Sequence, residues 1–184
     1  MSAIRFVGAA CALALSFASL SASADVVVGG AAMLPQKNIV ENAINSKDHT
    51  TLVAAVKAAG LVETLESKGP FTVFAPVNAA FSALPTGTVD KLLKPENKAA
   101  LTKVLTYHVV PGRYTSADID KLIREGNGTA TLKTASGGTL TLGKNGERNI
   151  TVTDETGAVA DISVYDVLQS NGVIYSVDRV LMPR

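Results

Sequence analysis

Gly69-Pro-Phe-Thr-Val-Phe-Ala-Pro-Val-Asn-Ala-Ala-Phe81 is the stretch on which the fold turns. Gly69-Pro70 breaks whatever precedes it. Phe71 to Pro76 is then a short run rich in β-branched and aromatic residues, closed by a proline, and it reads as a strand. Asn78 stands two residues further on, where its side-chain oxygen can accept from the free N–H groups of a helix start, worth ~1 kcal/mol. Phe81 and Leu84 fall on one face of that short helix. Phe71, Phe74 and Phe81 are expected in the core, as such residues generally are.

Upstream, the chain is helical in character from Asn38. Thr50-Thr51 can cap a helix whose apolar positions Leu52, Val53, Val56 and Ala59 follow helical spacing; Gly60 ends it, and Leu61, Val62 and Leu65 suit another short turn. Residues 25–37 lack a clear period and contain Gly29, Gly30 and Pro35, which reads as a flexible lead-in. Downstream, Pro95-Glu96 opens a longer helix with Leu101, Val104, Leu105 and His108 along one stripe, and Ser116-Ala-Asp118 opens one more.

After Gly126 the period changes to two. Leu140/Leu142, Ile150/Val152 and Ile162/Val164 alternate with polar residues, separated by turns at Gly137-Gly138, Lys144-Asn145-Gly146 and Glu155-Thr156-Gly157. Asn171-Gly172 predicts a tight hairpin with positive φ angles, and Val173 to Leu181 is apolar on both faces, which suits a central strand. Helices first and strands later give an α+β class, not the alternating βαβ order of a nucleotide-binding sheet.

Three stretches carry a family resemblance: Gly69 to Phe81 with Leu84-Pro85 behind it, Tyr107-His-Val-Val-Pro-Gly112, and Ser170-Asn-Gly-Val-Ile-Tyr-Ser-Val-Asp-Arg-Val-Leu-Met-Pro183. In order and spacing they resemble the fasciclin (FAS1) family, over roughly Asn38 to Pro183. The resemblance implies a β-sheet wedge with helices packed around it. It also implies secreted or cell-surface proteins that mediate adhesion and protein–protein contact, without enzymatic activity. His49 departs from the pattern, since the family often has an aromatic residue there. The chain also carries neither a repeat of the domain nor a membrane anchor, as several members do.

The N-terminus reads as a cleavable secretory signal: Arg5, an apolar run from Phe6 to Leu20, then Ala22-Ser23-Ala24 before Asp25. The expected division is a signal peptide over 1–24 cut between Ala24 and Asp25, the lead-in over 25–37, and the fasciclin domain over 38–184. The chain is then secreted, extracellular or periplasmic. Cys11, the sole cysteine, lies inside the leader, so the mature chain has no disulfide and must be held by packing. The single short domain and plain leader point to a bacterial source. Asn127-Gly-Thr129 and Asn149-Ile-Thr151 would matter as glycosylation acceptors only in a eukaryote.

Composition restricts the function. Lys and Arg number 17 against 16 Asp and Glu, and Arg5 belongs to the leader, so the charges balance without a basic block. Nucleic acid is excluded as a partner on that ground. Trp is absent and aromatics are scarce, which argues against a stacking platform for carbohydrate. A Gly-x-Ser-x-Gly elbow and a phosphate-binding loop are both missing, and His49 and His108 lie far apart in sequence. No catalytic residue, metal site or cofactor is therefore expected, and the chain reads as a non-enzyme.

Tyr107-His108 is the candidate interaction site. The resemblance implies a contact role, because a Tyr-His pair at this place has been linked to receptor binding in animal members of the family. The residues themselves favour a structural role, since His108 shares a stripe with Leu101, Val104 and Leu105. The expected partner is a protein or an extracellular-matrix or cell-surface component, with self-association also open. The alternative function is a carrier of a small apolar ligand such as a pigment; an apolar cavity would favour it, and an exposed apolar patch would favour the interaction module.

Overall fold

Phe71–Pro76 is a strand, as its residues predict, and the rest of the architecture can be placed around it. The protein is described by a computed structural model over residues 26–147 and 149–184. The signal-peptide reading, with its cleavage after Ala24, lies outside the described residues. Elements follow in the order β1 (Val26–Val28), β2 (Ala31–Met33), α1 (Ile39–Ala43), α2 (Thr50–Ala59), α3 (Val62–Glu66), β3 (Phe71–Pro76), α4 (Asn78–Ser82), α5 (Thr88–Leu92), α6 (Lys98–Tyr107), β4 (Val109–Pro111) and α7 (Ser116–Glu125). Five strands complete the chain: β5 (Thr129–Lys133), β6 (Thr139–Asn145), β7 (Asn149–Thr153), β8 (Val159–Gln169) and β9 (Gly172–Val177).

Seven strands form one sheet in the order β4-β3-β9-β8-β7-β6-β5. All pairings are antiparallel except β3 with β9, which run parallel from Phe71↔Gly172 to Pro76↔Val177. The two outer strands come together, because the Ala135 N–H just beyond β5 donates to the Val109 carbonyl of β4 at 2.7 Å. The sheet is thus a near-barrel with helices against it, an α+β fold of the expected kind. The alternating sequence after Gly126 gives β6 to β8, with turns where the Gly-containing segments fall.

The strand period of two divides the core. Along β9, Val173, Tyr175 and Val177 face the barrel interior with Leu140, Leu142, Val152 and Ile119, while Ile174 faces the helices with Val40, Leu52, Val56 and Leu105. On β3, Phe74 points inward and stacks on Tyr175, ring centroids 5.6 Å apart, whereas Val73 and Ala75 face the helices. Every residue of β9 is buried, as expected of a central strand, but the strand stops at Val177 rather than running on to Leu181.

Three local readings need correction. Residues 25–37, expected as a flexible lead-in, hold the β1–β2 hairpin from Val26 to Met33, whose Val28 and Met33 are buried in the helix-side core. Burying each such side chain is worth about 1.5–3 kcal/mol, which orders a segment whose short strands show no alternation long enough to read. Asn78 is the first residue of α4 and does not cap it. Its Oδ1 accepts from the Thr51 N–H at 3.0 Å and its Nδ2 donates to the Lys47 carbonyl at 2.8 Å, so it caps α2 from across the fold. The Asn171-Gly172 hairpin turns on Ser170 and Asn171, and neither Asn171 nor Gly172 has positive φ. Asn171 is instead a buried junction that accepts from the Ile39 N–H at 3.0 Å and donates to the Leu65 and Ser67 carbonyls at 2.7 and 2.9 Å. Gly172 is required by close approach, since a Cβ there would sit 2.2 Å from the Phe71 carbonyl oxygen.

Candidate functional site

α6 delivers both residues of the expected interaction pair. Its apolar positions Leu101, Val104 and Leu105 pack against α2 and the sheet, and the helix ends at Tyr107 with His108 as its C-terminal cap. That geometry buries both side chains. The Tyr107 ring lies in the barrel interior against Gly138, where a Cβ would approach it to 2.7 Å, which explains the small residue in that turn. Its hydroxyl donates to the Thr139 carbonyl at 2.6 Å and accepts from the Glu155 N–H at 2.9 Å. Burial pushes the phenol up to about 12, partly opposed by that N–H and reinforced by the nearby Glu155 and Asp154 charges.

His108 is buried and bonded at both ring nitrogens. Nε2 accepts from the Leu181 N–H at 2.9 Å, which fixes the ring proton on Nδ1, where it donates to the Val104 carbonyl at 2.8 Å. Burial lowers its pKa to about 4, against the raising effects of the Val104 carbonyl and the Asp154 charge. Asp154 holds the next stretch of the tail: its carboxylate accepts from the Met182 N–H, and also from Thr156 and Ala158. Burial would raise the Asp154 pKa, but those hydrogen bonds win and hold it below the usual carboxylate value. In this conformation, then, the pair offers no side chain to a partner. Its bonds, with those of Asp154, hold the C-terminal segment onto α6 and the β7–β8 turn.

The other histidine bonds one serine three residues before it and approaches a second that lies far from it in sequence. His49 Nδ1 shares a hydrogen bond with Ser46 Oγ at 2.9 Å, and Nε2 lies 3.5 Å from Ser176 Oγ. All three residues are buried, and the adjoining space is only about 20 Å³. Burial lowers the His49 pKa, with Asp48 opposing. Ser46 lies within nucleophile–base reach of His49, but the space beside the pair leaves no room for a substrate. Among the described residues, no group of three or more His, Cys, Asp and Glu side chains could hold a metal ion.

Sequence reading missed the space beside α6. A cavity of about 90 Å³ opens between α1, α2, α3, α6 and β3, and its accessible surface is wholly apolar. Val56, Leu65, Leu105 and Ile174 form its buried wall; Val53, Leu61, Val62 and Phe71 are only half-buried and form the mouth, with Lys57, Thr64 and Thr106 also lining it. Phe71, expected in the core, therefore stands at a boundary. The available signal was Leu61-Val62, two apolar residues directly after the helix stop at Gly60, on an element too short to bury both.

A second, more open depression lies between α7 and the strands. It is lined by Ser116, Asp120, Lys144, Asn149 and Tyr165, with Asp120 paired to both Arg124 and Lys144. Next to it, Asp166 adopts φ +51 at the β8 irregularity and accepts from the Ser116 N–H at 2.7 Å and the Tyr175 hydroxyl at 3.0 Å. Its strained backbone is accounted for by this bonding to the start of α7.

Residues 47–183 match the fasciclin domain. The chain belongs to the fasciclin family. This fasciclin domain is 46% identical over 157 residues to Protein sll1483 of Synechocystis, covering 85% of this chain and 79% of that protein. To the cell surface glycolipoprotein MPB83 of Mycobacterium bovis it is 34% identical over 160 residues, covering 84% of this chain and 64% of that protein. Both relatives are bacterial, in keeping with the source inferred from the sequence. Among solved structures, the FAS1 domain pair from the insect cell adhesion molecule Fasciclin I superposes with a TM-score of 0.70 at 17% identity. It covers 79% of this chain and 51% of that one, so the fasciclin domain spans about half that structure and shares its fold.

Proposed function

We propose that this chain is an exported, non-enzymatic interaction module. In this reading residues 1–24 are a signal peptide removed after Ala24, and the domain mediates contact with a protein or an extracellular-matrix or cell-surface component. Family membership over residues 47–183 is the observation that carries it. A relative described as a cell surface glycolipoprotein supports the location, and a fold shared with a cell adhesion molecule supports the role. Among the described residues, no helix is long and apolar enough to cross a membrane.

The test is purification from the native host, with co-purifying species and the absorption spectrum recorded. A colourless chain that starts at Asp25 and binds a co-purifying protein saturably is expected. Balanced charge makes that association weakly dependent on salt, and EDTA leaves it intact. Binding abolished by EDTA would overturn the reading, as would a loss of several decades in affinity between low and moderate salt.

A second reading, a carrier of a small apolar ligand, is favoured by the apolar cavity beside α6. Ligand pockets for drug-sized molecules run to roughly 300–1,000 Å³. At about 90 Å³ the cavity takes a much smaller group, so a pigment would require the helices to part. A chromophore in natively purified material would favour this second reading over the first.

A further inference from the structure

We propose that the cavity between α2, α3 and α6 binds the hydrocarbon end of a short-chain monocarboxylic acid, with the Lys57 ammonium holding the carboxylate at its mouth. The proposal rests on the carrier reading and names the ligand class.

Three features of the site select that chemistry. The accessible lining is apolar throughout, so any polar group placed inside would lose its hydrogen bonds to water without replacement. The volume of about 90 Å³ is smaller than the roughly 150 Å³ of a dry cavity that accepts benzene, which limits the occupant to a chain of about four or five carbons. The cavity is reached from outside, since Val53, Leu61, Val62 and Phe71 at its mouth are only partly buried.

The polar groups decide the other end of the ligand. Lys57, in the last turn of α2, is among the residues that line the cavity, and among the described residues it takes part in no salt bridge. Its stem can lie along the apolar mouth while the ammonium stays in water, a disposition common for lysine. Thr64, on the exposed side of α3, is another residue of the same lining. An anion at the mouth gains from the ammonium, whereas an amine is repelled by it. Amphiphiles with the charge at one end and a short alkyl chain at the other fit both halves of the site.

The experiment is a methyl NMR titration of the chain from Asp25 with pentanoate, pentan-1-ol and pentylamine. Shifts are followed at Val53, Val56, Leu61 and Val62. Pentanoate should bind most tightly and pentylamine least, and each methylene added from propanoate to pentanoate should strengthen binding about four-fold. Lys57→Gln should weaken pentanoate by about three- to ten-fold and leave pentan-1-ol unchanged. Val53→Phe should block all three while retaining the dispersed methyl spectrum of a folded chain; should it misfold, the Lys57→Gln comparison decides alone. Equal binding of acid, alcohol and amine would overturn the assignment of a carboxylate while keeping the cavity as a binding site. No shift with any of the three would overturn both.

Discussion

The two sides of the sheet are packed to different standards. In the barrel interior Tyr107, Tyr175, Leu140, Leu142 and Val152 have no exposed surface, and the polar atoms of both tyrosines are bonded. On the helix side Val53, Leu61, Val62 and Phe71 remain only partly buried around about 90 Å³ of apolar space. Both sides use the same strands, since β3 and β9 send alternate residues to each. The difference lies in what covers them. The interior is closed by strands in fixed register, whereas the helix side is closed by short elements such as α1 and α3, of five residues each. Short helices depend on packing for their stability and fill a surface less completely than a ladder does. Close packing and open apolar space are thus separated across one sheet.

The largest effect that can break this comparison is truncation in the interior. Leu140→Ala should destabilise the fold by about 4–5 kcal/mol, near the top of the range for such changes, because the surrounding ladder cannot collapse. Leu65→Ala, beside the existing cavity, should cost about 2–3 kcal/mol. Chemical denaturation midpoints check the pair, and equal losses would mean the two sides are packed alike.

Acid should come next in size. His108 is held neutral with a pKa near 4, below its ordinary 6.5, so between these values the unfolded chain binds more protons than the folded one. Stability therefore falls as pH drops from about 6.5 towards 4, by up to about 3 kcal/mol, and the lowered pKa of His49 acts in the same direction. Asp154, also lowered, adds a further loss as pH falls below the ordinary carboxylate range. His108→Gln should be less stable at neutral pH and lose much less on acidification, as measured by denaturation at pH 7 and pH 4.5. Because protonated Nε2 cannot accept from Leu181, the amide protection factors of residues 181 and 182 should fall in acid before those of β6.

Adding bulk gives the smallest effects, and the sign is informative. Val152→Ile, in the filled interior, should destabilise by about 1–3 kcal/mol. Val53→Ile, at the cavity, should be neutral or stabilising by up to about 0.8 kcal/mol. Thermal midpoints moving in opposite directions would sharpen the contrast; a fall in both would remove it.

Period and motif made the fold readable. Alternation in β6 to β8, the strand at Phe71 and the stripe on α6 all follow from local pattern. The His108 stripe also foretold its burial. What stayed hidden depends on distant partners. Asn78 and Asn171 look like local cap and turn residues, yet their side chains bond across the fold to Thr51 and to Ile39, Leu65 and Ser67. Ser176 comes to His49 only through tertiary packing. The cavity is a mismatch between packed surfaces, and no single segment carries its signature.

Xenon binding tests the asymmetry most directly, because xenon enters dry apolar cavities irrespective of any polar group. Crystals of the chain from Asp25, pressurised with xenon, should show one occupied site, bounded by Val56, Leu61, Leu65, Leu105 and Ile174, with none in the barrel interior. Xenon among Tyr107, Leu140, Leu142 and Tyr175, or an empty helix side at saturating pressure, would contradict the account.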